Sequence, residues 1–121
     1  MHGKSKQEIE FEVSKKMSIF LKEQLGEEAK TVKTQIIDDT IIVRFKSVLP
    51  PAEKDMARSK EGAKTIKELK DKLLNEVKPL LEELIKNLTE GEVIDIHSSF
   101  DTETDERIEI FTLNKSLEYT I

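Results

Sequence analysis

From Lys6 to Leu25 the apolar residues Ile9, Val13, Met17, Phe20, Leu21 and Leu25 recur every three to four positions. Glu8, Glu10, Lys15, Lys16, Lys22 and Glu23 fill the remaining arc. That period is helical, so an amphipathic helix is predicted, and Gly26 supplies the residue that commonly closes one. Phe11 and Ile19 fall off the stripe and suggest a second contact surface. Between Thr31 and Lys46 the period drops to two. Val32, Thr34 and Ile36 alternate with Lys33 and Gln35, and Ile41, Val43 and Phe45 alternate with Ile42, Arg44 and Lys46. Asp38-Asp39 between the two runs makes them a hairpin. Pairing Ile37 with Thr40 sets Ile36 opposite Ile41, Thr34 opposite Val43 and Val32 opposite Phe45, all on one face.

Pro50-Pro51 ends the second strand and suits the start of a short helix over Ala52 to Ser59, with Glu53 favourable in its first turn. Gly62 allows a break. The stripe Ile66, Leu69, Leu73, Val77, Leu80, Leu81, Leu84, Ile85 and Leu88 predicts a long helix from Ala63 to Leu88, stopped by Gly91. Pro79 lies inside it, and a kink is expected near Asn75–Pro79. A second hairpin follows. Ile94, Ile96, Ser98 and Phe100 alternate with polar residues, Asp101 to Asp105 turn the chain, and Ile108, Ile110 and Thr112 return. Pairing Ser98 with Ile108 puts Ile96 opposite Ile110 and Ile94 opposite Thr112. The other face then carries His97 opposite Glu109 and Ser99 opposite Arg107. Residues 115–121 read as a tail, with Leu117, Tyr119 and Ile121 docking as an edge extension.

The expectation is one α+β domain over residues 1–121, its core spanning about 6–114. Its order is helix, hairpin, helix or helices, hairpin. Its sheet is four-stranded and largely antiparallel, with the helices on one face. Phe20 to Gly26 and Leu84 to Gly91 each lead into two strands, so the halves look like one unit used twice. A straight helix from Ala63 to Leu88 runs roughly 40 Å, whereas four strands span only about 19 Å and seven-residue strands about 23 Å. Either Pro79 folds the helix back or its Ile66–Leu73 end packs on a second copy, and a homodimer is the preferred reading.

Composition narrows the function. The 121 residues hold 25 acidic against 20 basic side chains, for a formal net charge of −5, and no cysteine. An acidic balance argues against nucleic-acid binding, which draws on phosphate counterion release. Without Cys there is no disulfide, thiolate nucleophile or Cys-based metal site. No apolar run approaches the roughly 20 residues of a spanning helix, and the N-terminal residues lack the apolar core of a signal peptide. A cytoplasmic protein is expected, at most peripheral to the inner face of a membrane.

The outer sheet face gathers the main polar set: Arg44, Asp95, His97, Arg107 and Glu109. Imidazole beside carboxylate can move a proton or bind a metal or small molecule. The plainer reading is a solvated face stabilised by cross-strand pairs. His2 is the other histidine, at the terminus, so a three-ligand zinc site is hard to build. Ser98 and Ser99 sit on a strand, not on a Gly-flanked elbow, and none of the four glycines forms a Gly-x-Gly. The Asp101–Glu106 segment lacks the Gly and terminal Glu of a calcium loop. No catalytic residue, metal or cofactor is expected. Val48 and Met56, around Pro50-Pro51, suit either a soft partner contact or the rim of the core.

Ile36 to Arg44, then Val48-Leu49-Pro50-Pro51-Ala52-Glu53-Lys54, Glu61-Gly62, and Ile110-Phe111-Thr112-Leu113 in that order resemble a bacterial family. It is named for MpsC, a component of a proposed sodium-translocating, membrane-potential-generating system. The resemblance runs from about Lys6 to Asn114. Where the family pattern reads Gly-x-Leu-Thr-Pro-Ala-Glu, this chain has Ser47 and Pro50 in place of the Gly and the Thr. The resemblance implies a non-enzymatic accessory protein that supports or regulates membrane ion or bicarbonate transport through a membrane partner. The alternative is a small-molecule- or metal-sensing domain built on His97, Glu109 and Arg44.

Overall fold

The computed structural model describes residues 4–118; His2, Tyr119 and Ile121 lie outside them. In chain order the described residues form α1 (Lys6–Leu25), β1 (Thr31–Ile37), β2 (Thr40–Lys46), α2 (Pro51–Met56), α3 (Lys60–Thr89), β3 (Val93–Asp101) and β4 (Glu106–Leu113). The strands make one antiparallel sheet in the order β1-β2-β4-β3. The second strand of each hairpin is therefore central, and β2 and β4 run antiparallel. That is the arrangement expected of two copies of a helix–hairpin unit related by a local twofold axis.

Helix α1 begins with a reciprocal cap: Glu8 N–H donates to Ser5 Oγ, and Ser5 N–H to the Glu8 carboxylate. It buries Ile9, Val13, Met17 and Leu21, the residues its period selects. In the first hairpin Val32, Thr34, Ile36 and Ile37 face Phe45, Val43, Ile41 and Thr40, the register read from the alternation. Asp38 takes the left-handed conformation, φ 57°, that the two-residue turn needs.

Helix α3 starts earlier than its apolar pattern suggests, because Ser59 caps it and accepts the Gly62 N–H at 2.9 Å. Gly62 lies in the first turn, where a Cβ would sit 1.7 Å from the Met56 carbonyl oxygen. Only glycine lets α2 and α3 approach so closely. The helix continues through Pro79 to Thr89 as one element. Its buried line is Ile66, Lys70, Leu74, Leu81 and Ile85, whereas Leu69 and Leu80 are 43% and 51% exposed. The stripe is rotated from the expected one and contains a lysine. Packing on α1, α2 and β3 covers it within one chain, so its length gives no reason for a second copy there.

The second hairpin corrects the sequence reading. Ser98 pairs with Glu109, Ile96 with Phe111, Ser99 with Ile108 and Phe100 with Arg107, one residue away from the expected register. A one-residue slip moves every side chain of a strand to the opposite face. Arg107, Glu109, Phe111 and Leu113 therefore point into the core, and Ile108 and Ile110 face outward. Phe111 and Leu113 outweigh the two isoleucines as core residues, and ion pairs satisfy the charges that enter with them. A shift between Val93 and Asp95 leaves Ile94 65% exposed. The tail is tied down at Leu117, which is fully buried and donates its N–H to the Asp38 carbonyl at 2.8 Å.

Ser47 also has positive φ, 60°, a conformation costing an L-residue about 1–2 kcal/mol. Ser47→Gly should raise stability by about 0.5–1 kcal/mol after the extra chain entropy of glycine. Gly62→Ala should lower it by about 1–3 kcal/mol through the α2 clash. Urea midpoints compared with the parent check both.

Candidate functional site

The end of α1, α2, α3 and β4 deliver charged side chains to one buried place. After Leu25 the chain turns through Gly26 at φ 67°, and Glu27 N–H donates back to the Leu21 carbonyl. This closing motif fixes the direction in which Glu27 leaves the helix. Its carboxylate receives the Arg107 guanidinium in fork geometry, Nε to Oε1 at 3.0 Å and Nη2 to Oε2 at 2.8 Å. Arg107 Nη1 donates to Glu109 Oε2 at 3.1 Å, and Ser98 Oγ donates to Glu109 Oε1 at 2.5 Å. Lys70 Nζ lies 3.3 Å from Glu27 Oε2 and 2.8 Å from Glu53 Oε1. Glu27, Lys70, Arg107 and Glu109 are all buried, and the Arg107 guanidinium lies 5.5 Å from the Phe100 ring centre.

Burial by itself would lower the pKa of Arg107. The hydrogen bonds and charge of Glu27, joined by Glu109, instead hold it above the ordinary value. Glu109 goes the other way. Burial raises it to about 7, against the opposing pull of Ser98 and Arg107. A carboxyl that keeps its proton near neutrality eases the excess of acidic over basic groups here. Each charged group faces an opposite one, and of the set only the Glu53 side chain, 28% exposed, reaches the surface. Its chemistry is cohesion between elements.

Beside it the surface opens into a cleft of about 540 Å³, lined by Gly26, Lys30, Ser47, Pro50, Lys54 and Arg58 among others. Asp105 holds the loop that lines it. The Asp105 carbonyl accepts the Ser47 N–H at 2.8 Å, and Oδ1 accepts the N–H groups of Val48 and Leu49 at 3.0 and 2.9 Å. Lys54 Nζ stands 3.7 Å from Asp105 Oδ2, and Arg58 pairs with Asp55 at 3.2 Å. Val48 is part of the core, and Met56 is 49% exposed. The cleft is open and more apolar than polar, and its lining sets Lys30, Lys54 and Arg58 among Glu28 and Asp55. It suits a charged surface of a partner better than it suits enclosing a small molecule.

The five residues expected to share a polar face do not share one. Arg44, Asp95 and His97 lie on the outer face, where Arg44 Nη2 pairs with Glu106 at 2.9 Å and His97 Nε2 lies 3.3 Å from Asp95 Oδ2. Arg107 and Glu109 lie beneath the sheet, and the sheet separates them from His97. Among the described residues no three His, Asp or Glu side chains converge as a metal site. Sequence reasoning gave Glu27 and Lys70 no role, and Glu53 only a place in the first turn of its helix. Lys70 carries a legible signal, since it stands midway between Ile66 and Leu74 at helical spacing. Glu27 carries none, because a carboxylate after a closing glycine reads as solvated.

A family model described as "Na+-translocating membrane potential-generating system (MpsC)" matches residues 5–115. The chain is 37% identical over 115 residues to "Uncharacterized protein YbcI" of Bacillus subtilis (strain 168), covering 95% of this chain and 93% of that protein. No solved structure matches.

The buried acid sets a pH dependence. The folded state holds the Glu109 proton up to about pH 7, whereas the unfolded chain releases it near 4.5. Between those limits the folded state binds the extra proton, so stability falls as pH rises through the window and levels off above it. Glu109→Gln keeps an acceptor for Arg107 and a group for Ser98. It should abolish that slope, matching the parent near the acid limit and exceeding it by on the order of 1–3 kcal/mol in mild alkali. Urea unfolding across the pH range measures this, and an unchanged slope would refute it.

Proposed function

We propose that this chain, which belongs to the MpsC family, is a non-enzymatic accessory domain. In this reading it acts as a homodimer and supports or regulates a membrane ion or bicarbonate transport system from the cytoplasmic side. One pairing of observations carries the reading. The family is described by a sodium-translocating system, yet among the described residues no helix is long and apolar enough to cross a membrane. Moving an ion across a bilayer needs a pathway that shields its charge from hydrocarbon. On this reading a membrane-spanning partner supplies that pathway, and this chain is the part that docks on it.

The interior supports a binding role. Its ionisable cluster is closed on itself, leaving no acid–base pair aimed at solvent. The cleft beside α2 is the accessible counterpart: Lys30 lines it, and Lys54 and Arg58, held by Asp105 and Asp55 within the chain, can exchange those exposed contacts for acidic groups of a partner. A sensing site made of Arg44, His97 and Glu109 has no such support, because Glu109 lies under the sheet and the other two lie above it.

Photo-crosslinking from position 28, in the lining of the same cleft, in native cells with the membrane fraction retained, tests the reading. The expected product joins this chain to a membrane-spanning transport protein, and Lys54→Glu with Arg58→Glu should remove it. Membrane potential or sodium-dependent uptake should fall when the chain is deleted. Crosslinks to non-membrane proteins alone, together with unaltered transport, would discard the proposal.

A further inference from the structure

Both long helices pack on the face that buries Ile36, Val43, Phe45 and Phe111. Within the described residues nothing covers the other face. Strand pairing lays its side chains out in four rows from β1 to β3: Thr31–Lys46–Glu106–Asp101, Lys33–Arg44–Ile108–Ser99, Gln35–Ile42–Ile110–His97, and Ile37–Thr40–Thr112–Asp95. Two features stand out. Ile42, Ile108 and Ile110 form an apolar centre on the two middle strands, only partly shielded by their neighbours. The charges around that centre are sorted, with Lys33, Arg44 and Lys46 on the β1–β2 half and Asp95, Asp101 and Glu106 on the β4–β3 half.

We propose that this face docks on the same face of a second copy, about a twofold axis running along the strands between β2 and β4. The charge sorting selects that occupant and that axis. Rotation about it lays the β1–β2 half of one protomer over the β4–β3 half of its partner and keeps each row in place. Lys46 then lies over Glu106, and Ile42 over Ile110, each contact occurring twice as an isologous interface requires. A twofold axis across the strands would instead stack β2 on β2 and β1 on β1, setting like charges together. Sheets pack face to face in this way about 10 Å apart, with a modest rotation from their twist. A face roughly 19 Å across and about 20 Å long offers on the order of 400 Å² per partner, which is the size of a weak, transient association. The dimer therefore assembles over a micromolar range and loosens as salt rises.

This inference gives the dimer of the proposed function its surface. It is tested on purified full-length chain with no membrane present, so it stands or falls apart from the transport reading. Light scattering or sedimentation across a micromolar concentration series should show the mass rising to that of a dimer. Lys46→Glu and Glu106→Lys, each alone, set like charges across the interface twice and should weaken association by about tenfold or more. Mixed together, the two variants restore opposite charges at both contacts, with their signs exchanged at one of them, and should recover a one-to-one heterodimer. A local effect on folding cannot produce that recovery. Ile110→Lys should be monomeric with an unaltered circular dichroism spectrum. A parent chain that stays monomeric throughout the series, a mixture no tighter than either variant alone, or an Ile110→Lys protein that still dimerises would each overturn the proposal.

Discussion

The fold turns on the bidentate pair between Arg107 and Glu27, both shut away from water. Each partner alone is strongly unfavourable in that setting, since an unpaired buried charge costs several kcal/mol. Together they fasten β4 to the end of α1. Lys70 and Glu53 extend the same network to α3 and α2. A purely apolar core would tolerate small slips of one element past another. An ionic knot does not, because each hydrogen bond has a fixed direction and length. The remaining core, from Ile9 through Leu117, packs around a point that admits one arrangement.

That constraint reaches the surface through the register of β4. Holding Arg107 and Glu109 inward forces Ile108 and Ile110 outward, and with Ile42 they become the apolar centre of the open face. The strand could bury its isoleucines only by exposing Phe111 and Leu113 and taking the Arg107 fork away from Glu27, which would keep Lys70 alone. The hydrophobic character of the outer face is thus a by-product of the ionic core beneath it. The same network orders the cleft. Asp105 immediately precedes β4, and its carboxylate grips the Val48 and Leu49 backbone that floors the opening.

Sequence patterning revealed the elements more readily than their interior chemistry. Helix α1 and the first hairpin were legible because period and turn agree: apolar positions recur on one face, and Asp38-Asp39 leaves a single register. Strand β4 was not. It has apolar residues on both parities, Ile108 and Ile110 on one, Phe111 and Leu113 on the other, and the charges at 107 and 109 tip a hydrophobicity count the wrong way. Glu27, 80 residues away, makes the arginine acceptable inside, and the arginine with Ser98 does the same for Glu109. Lys70 misled in the same manner, shifting the apparent stripe of α3 onto Leu69 and Leu80. Ser47 is a further case. Its φ of 60° favours glycine, but a serine gives no local sign of a left-handed backbone.

The two halves share a topology but not an interior. About the local axis between β2 and β4, Ile41, Val43 and Phe45 correspond to Arg107, Glu109 and Phe111. One half buries hydrocarbon where the other buries an arginine and a carboxyl. An apolar half stabilises without specifying much, because branched side chains of similar volume can replace one another. The charged half specifies. It brings together the end of α1, the β2–α2 loop and α2, which are the elements that wall the cleft. A symmetric molecule would present two equivalent ends to a partner. Arg107 and Glu109 stand in the second half only, and the ties of the network to Glu27, Glu53 and Lys70 set one end of this molecule apart from the other.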